Sequence, residues 1–164
     1  GSDPRDTARR RTAESADALR LLGVRDIEVI RLCFPDTGLT ACEDELSSRL
    51  GELCDGFGVC LAPWEQDAHA DHEAVGRAAR RAARQPGRQV LSYPIWMWHW
   101  AKPGDRRVPW QRACQVPLGA EVAARKTAAI GTFASQLTER EGAGPVLPPG
   151  IVAHFTRDQE VLLR

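Results

Sequence analysis

The stretch from Phe57 to Arg77 constrains the fold more than any other. Phe57-Gly58-Val59-Cys60-Leu61-Ala62 is an apolar run of strand length, and from Asp71 onward Ala74, Ala78 and Ala82 recur at helical spacing. A strand feeding a helix through a turn is the repeating unit of α/β architectures. Such turns, at the carboxyl ends of strands, bring backbone N–H groups and side chains to one crevice. Here the turn carries Asp67-Ala68-His69-Ala70-Asp71-His72-Glu73, two imidazoles and three carboxylates in seven positions. The Ala-rich helix face is small enough to pack closely on a sheet.

The turn admits two readings. If Asp71 caps the helix, His72 falls in its first turn and His69 two residues before the cap, so both rings lean over the strand end. Imidazoles placed there can hold a metal or move a proton, with a nearby carboxylate fixing the tautomer. In the other reading Asp71 is only a cap and both histidines are solvated. The spacing by itself is compatible with either.

Around this centre the elements follow one another as in a single domain over residues 1–164. Thr7 to Leu22 reads as a helix with Ala8, Ala16, Leu19 and Leu22 near one face and Gly23 as its left-handed end. Asp26-Ile27-Glu28-Val29-Ile30-Arg31-Leu32 alternates like a strand and runs into a turn at Pro35-Asp36-Thr37-Gly38. Thr40-x-x-Glu43 predicts a capping box before a helix with Leu46, Leu50 and Leu53 on its buried side. The central helix is predicted over Asp71–Arg84, ending at Gln85-Pro86-Gly87, and Arg88 to Tyr93 is the next strand. In extended form Trp96, Trp98 and Trp100 would share one side, either as core or as flat platforms for sugar rings, with His99 structural. Lys102 to Trp110 reads as a loop bordering the site. A helix from Gly119 to Leu137, a Gly/Pro-rich break at Gly142–Gly150 and a strand at Glu160–Leu163 complete the chain.

Charge and cysteine usage exclude several classes. Twenty-two basic residues balance twenty-two acidic ones, whereas a nucleic-acid grip draws most of its affinity from a basic excess. No apolar run reaches the roughly 20 residues of a membrane span, and no stretch reads as a signal peptide. Five cysteines without a CxxC pair point to neither a disulfide framework nor a zinc ribbon, so the expected compartment is a reducing cytoplasm.

Several motifs recur together in a known order. Arg11-x-x-Glu14 with Leu22-Gly23-Val24, Pro35-Asp36-Thr37-Gly38-Leu39 and Asp67-Ala68-His69-Ala70-Asp71-His72 come first. Tyr93-Pro94-Ile95-Trp96, Lys126-x-x-Ala129-Ile130-x-x-Phe133-x-Ser135-Gln136 and Leu147-Pro148-Pro149 follow. This order resembles the PIG-L/LmbE-like de-N-acetylases, whose second signature is usually written G-H-P-D-H; Ala68 and Ala70 stand where Gly and Pro are usual. The His-Pro-Asp-Asp loop that opens that family has no counterpart here.

The resemblance implies an α/β, Rossmann-like three-layer fold with a mostly parallel sheet whose first two, central strands are missing. A chain so built is expected to be unstable alone or to associate, for instance as a homo-oligomer. It further implies a divalent metal, usually zinc, with His72 as one ligand and the others in the absent loop. His69 would donate to the developing oxyanion and Asp71 would orient its ring and keep it cationic. Arg11, steadied by Glu14, and Asp36 would reach the substrate, with Trp96 and Trp98 as stacking surfaces. The implied activity is a zinc-dependent amidohydrolase that removes acetyl from an N-acetylated sugar or glycoside such as an N-acetylglucosaminide. This chain alone is expected to be inactive without the first motif. The alternative is a non-catalytic carbohydrate-binding or regulatory relative.

Overall fold

Glutamate and threonine side chains organise the helical part of the molecule. In the computed structural model, which describes residues 3–84, 87–139, 142 and 144–164, packing divides the chain into two units. The first comprises Gly1–Ile30 and Pro117–Glu160. Its helix α1 spans Pro4–Leu22 and closes on Gly23 in the left-handed conformation, as the sequence predicts. The helix expected from Gly119 to Leu137 is in fact two, α5 at Ala120–Ile130 and α6 at Ala134–Leu137. Thr132 is the reason for the break: its hydroxyl donates to the carbonyls of Ala129 and Glu14. The buried Glu14 carboxylate then accepts from the Ser135 N–H at 2.8 Å and the Ser135 hydroxyl at 2.6 Å, which caps α6. Burial pulls the Glu14 pKa upward, but Ser135 and the Arg10 guanidinium together hold it below the ordinary value.

The second unit, Arg31–Val116 with Val161–Arg164, contains the strand–turn–helix. Helix α2 spans Glu43–Leu53, strand β1 Val59–Pro63, helix α3 Ala70–Ala82, strand β2 Gln89–Tyr93 and the one-turn helix α4 Met97–Trp100. Strand β3, Ala113–Pro117, and strand β4, Gln159–Leu163, complete a four-stranded sheet in the order β1-β2-β4-β3. The α/β class holds, but the sheet is mixed rather than mostly parallel. Strands β1 and β2 are parallel because the single crossover helix α3 joins them, whereas β4 enters antiparallel to β2 with Ser92 opposite Leu163.

Small residues set the packing of α3. Ala74 and Ala78 are fully buried, and a Cβ on Gly76 would lie 2.6 Å from the Pro63 carbonyl oxygen and 2.8 Å from the Glu65 nitrogen. The helix therefore lies directly on the backbone leaving β1, closer than any side chain would permit. Helices α2 and α3 are joined by charge: Arg77 forks onto Glu43 at 2.7–3.2 Å and Arg81 adds a contact at 3.1 Å. Glu43 is thereby drawn away from the expected capping box, and the residues Leu39–Cys42 form a 3-10 turn without a side-chain cap. The core of this unit is Trp64, Met97, Val108 and Leu163.

Two expectations fail in instructive ways. Asp26–Leu32 forms no ladder with any described residue, and Ile27, Val29 and Ile30 are about half exposed. Alternation prepares a segment for a sheet but does not supply its partner. Strand β1 sits at the end of the sheet order, with Val59 and Leu61 exposed on the face away from α3. In the Gly/Pro-rich tail, Pro149 opens a further helix, α7, over Pro149–Phe155, using proline's preset φ at the first helical position. Gln85 and Pro86, read as part of the stop after α3, lie outside the described residues.

Candidate functional site

The turn between β1 and α3 is built around Asp67, which has no exposed surface. One carboxylate oxygen accepts the backbone N–H groups of Ile95 at 3.0 Å and Met97 at 2.9 Å; the other accepts that of Trp96 at 2.8 Å. Those three amides open α4, and a carboxylate is what such a cluster of unpaired donors attracts. The same second oxygen lies 2.6 Å from Nδ1 of His72. A carboxylate that already accepts from three N–H groups can take a fourth partner only as a donor. His72 therefore carries its proton on Nδ1, which leaves the Nε2 lone pair for another group.

His69 contrasts with His72. It caps α3 with extended backbone, its ring stacks on that of His72 at 4.3 Å, and Trp96 leans over it at 5.6 Å. His99 stacks on Trp96 at 4.5 Å, so His72, His69, Trp96 and His99 form a column of four rings in successive contact. The Nδ1 atom of His69 is buried without a hydrogen-bond partner among the described residues. Ala68, which precedes it, has φ +63°, and its N–H donates to the Glu73 carboxylate at 3.1 Å.

Asp71 departs from the role expected of it. It sits in the first turn of α3 rather than at the cap, and its buried carboxylate accepts from Thr37 N–H at 2.7 Å and Leu39 N–H at 3.2 Å. Both oxygens thus fasten the Pro35–Leu39 turn, which carries the exposed Asp36, to the start of α3. The imidazole oriented by a carboxylate in this site is His72, and the carboxylate is Asp67. The acidic cluster includes Asp67, but its backbone-amide partners lie 28 to 30 residues away, beyond the reach of local sequence patterns.

The tryptophan stripe is also rearranged. Once Asp67 gathers the amides of residues 95–97, the chain turns helically and the three indoles diverge. Trp96 faces His69, while Trp98 and Trp100 pack against the buried cluster around Met97. Trp100 stacks on Trp64 at 6.3 Å and donates its indole N–H to the Asp67 carbonyl at 3.4 Å. Arg11 lies on the exposed side of α1 in the first unit, and the neighbouring Glu14 takes Arg10 and Ser135 as partners.

No three metal-ligating side chains come together among the described residues, so His72 is a single oriented imidazole. One imidazole does not make up the three protein ligands of a catalytic zinc site.

Known proteins resemble the chain in sequence and in fold. Residues 1–83 match the sequence model of the family described as PIG-L, GlcNAc-PI de-N-acetylase. The crystal structure of the conserved protein TT1542 from Thermus thermophilus matches over 100% of this chain and 74% of that one, with a TM-score of 0.63 and 25% identity. No protein with a curated description matches the chain. With its match covering half the chain and a strand–turn–helix carrying paired histidines, the chain belongs to the PIG-L, GlcNAc-PI de-N-acetylase family.

Proposed function

We propose that the His69/His72 turn serves the hydrolysis of an acetamide on an N-acetylated sugar. The observation that carries this reading is the fully buried Asp67, which fixes the Nδ1–H tautomer of His72. Metal-ligating histidines usually donate their other ring N–H to a carboxylate or carbonyl, and His72 is held in that way. A divalent ion such as zinc would supply a polarised water, and His72 would be one of its ligands. His69 stands against His72 and has a buried nitrogen in need of a partner. It would donate a proton or hydrogen bond to the acetamide oxygen as charge develops there. Trp96, in contact with both His69 and His99, would line the apolar side of the sugar.

The test has two readouts. Zinc added to the 164-residue chain is expected to move the His72 ring resonances first, an effect lost in His72→Ala. His69→Ala should keep the zinc response; with the family's His-Pro-Asp-Asp segment joined to the chain, the same substitution should lower acetate release from an N-acetylglucosaminide about 100-fold, as loss of an oxyanion donor does elsewhere. If zinc leaves the His72 signals unmoved while the sugar still quenches Trp96 fluorescence, the site binds carbohydrate without hydrolysing it.

A further inference from the structure

Overall charge balance conceals a local excess. Trp64, Glu65 and Gln66 line part of a cavity of about 220 Å³. Arg80, Arg106, Arg107, Arg112 and Arg164 are among the residues lining it, with Glu65 the one acidic side chain. That carboxylate is taken by Arg80 at 2.7 Å, and Arg107 is held by Asp105 at 2.7 Å. The side chains of Arg106, Arg112 and Arg164 have no acidic partner among the described residues. Three exposed arginines without an acidic side-chain partner among the described residues leave the rim of this hollow with a positive excess that an anion would offset.

The wall is built to keep this arrangement. Arg107 lies 4.3 Å above the Trp100 ring, and Asp105 grips it through both Nε and the terminal nitrogen. Trp100 in turn stacks on Trp64, and the buried Val108 and Leu163 close the apolar floor beneath. A guanidinium stacked on an indole and forked onto a carboxylate has lost much of its rotamer freedom before any ligand arrives.

We propose that this cavity binds a phosphate-class oxyanion, a phosphoryl or pyrophosphoryl group. Several guanidiniums approaching from different elements can be satisfied together only by a group with oxygens in several directions. A tetrahedral phosphoryl has that shape and a planar carboxylate does not. A nucleic-acid strand would need a basic track along the surface, and the basic residues here surround a hollow instead. The site is separate from the histidine column: neither His69 nor His72 lines the cavity, and anion binding does not depend on hydrolysis.

Titration of inorganic pyrophosphate into the 164-residue chain at low ionic strength, followed calorimetrically, tests the proposal. Saturable binding is expected, weakened by added salt and at least about tenfold weaker in Arg106→Gln/Arg112→Gln, since each lost fork removes a charge-assisted bond. Both side chains are exposed, so the fold should survive; Arg112→Lys, which keeps the charge but not the fork, should fall between. His72→Ala should bind pyrophosphate as the parent does. Co-flotation with phosphatidylinositol vesicles, lost in the double variant, would assign the phosphate to a lipid headgroup. Pyrophosphate binding without flotation would assign it to a soluble ligand. The proposal is overturned if sodium chloride of equal ionic strength gives the same heat, if the double variant binds undiminished, or if His72→Ala abolishes binding.

Discussion

Asp67 and Asp71 stand four residues apart at the same helix start, both buried, and both gather backbone amides from a distant turn. Asp71 holds the 35–39 turn through the Thr37 and Leu39 amides. Asp67 holds the 95–97 turn and His72 as well. One carboxylate therefore fixes where a loop runs, whereas the other fixes both where a loop runs and which nitrogen of an imidazole is available. The resemblance assigns Asp71 to orient His69; the geometry instead pairs Asp67 with His72 and Asp71 with loop amides. A side chain behind the helix start reaches the ring's Nδ1, while one inside the first turn faces outward to the neighbouring loop.

The sharpest way to separate them is to replace each by asparagine. In Asp67→Asn an amide NH₂ must face at least one N–H donor that the carboxylate accepted, in a site without water access. We expect a loss of about 3 kcal/mol in urea unfolding, within the range for breaking a buried charged network. Nitrogen-15 spectra should also show His72 changing to the Nε2–H tautomer. Asp71→Asn leaves two loop amides poorly served and should cost about 1 to 2 kcal/mol, with the His72 tautomer unchanged. Equal tautomer changes in both variants would erase the distinction.

The same contrast explains what is legible in the sequence. The strand, turn and helix at Val59–Ala82 follow from an apolar run, a polar cluster and repeating alanines, all local signals. His69 and His72 are recognisable as a pair because both sit in one turn. The Asp67 bonds, the folding of Ile95–Trp100 into a helical turn and the diversion of Glu43 to Arg77 arise from partners about 30 residues away, and no local pattern encodes them. The ladder missing at Asp26–Leu32 is the converse case: its alternation is clear, but a strand exists only with a neighbour. Asp71 escapes the local reading for a smaller reason, since a cap at His69 rather than Asp71 is a two-residue difference, which moves a side chain by about 200° around the axis.

A milder perturbation should loosen the Asp71 side before the Asp67 side. Glu43 follows the 3-10 turn that Asp71 anchors, and the hydrogen bonds from Arg77, opposed by burial and helped by Arg81, hold its pKa below the ordinary value of 4.5. A depressed acid stabilises the folded state above its unfolded pKa, and that contribution is lost as pH falls through the folded one. Acidification below 4.5 should therefore speed amide exchange in α2 and at Thr37 and Leu39 before it does so at residues 95–97. Glu43→Gln, already weakened at neutral pH, should lose that dependence on pH. Simultaneous loosening of both turns in the parent would mean that α3 moves as one body.

The smallest expected effect has the opposite sign. Ala68 links Asp67 to His69 with φ +63°, a conformation that costs an L-residue about 1 to 2 kcal/mol and glycine little. Glycine would relieve that strain but enter with a more disordered unfolded chain, a penalty of up to about 1 kcal/mol. The balance predicts that Ala68→Gly raises stability by about 0.5 kcal/mol, measurable as a higher urea midpoint at unchanged slope. Strain at such a position persists when its surroundings over-determine it, and here Asp67 on one side and the Glu73 bond to the Ala68 N–H on the other do so. If Ala68→Gly is instead destabilising, the left-handed turn is held by the alanine methyl's own contacts. The Asp67 network would then be following the turn rather than imposing it.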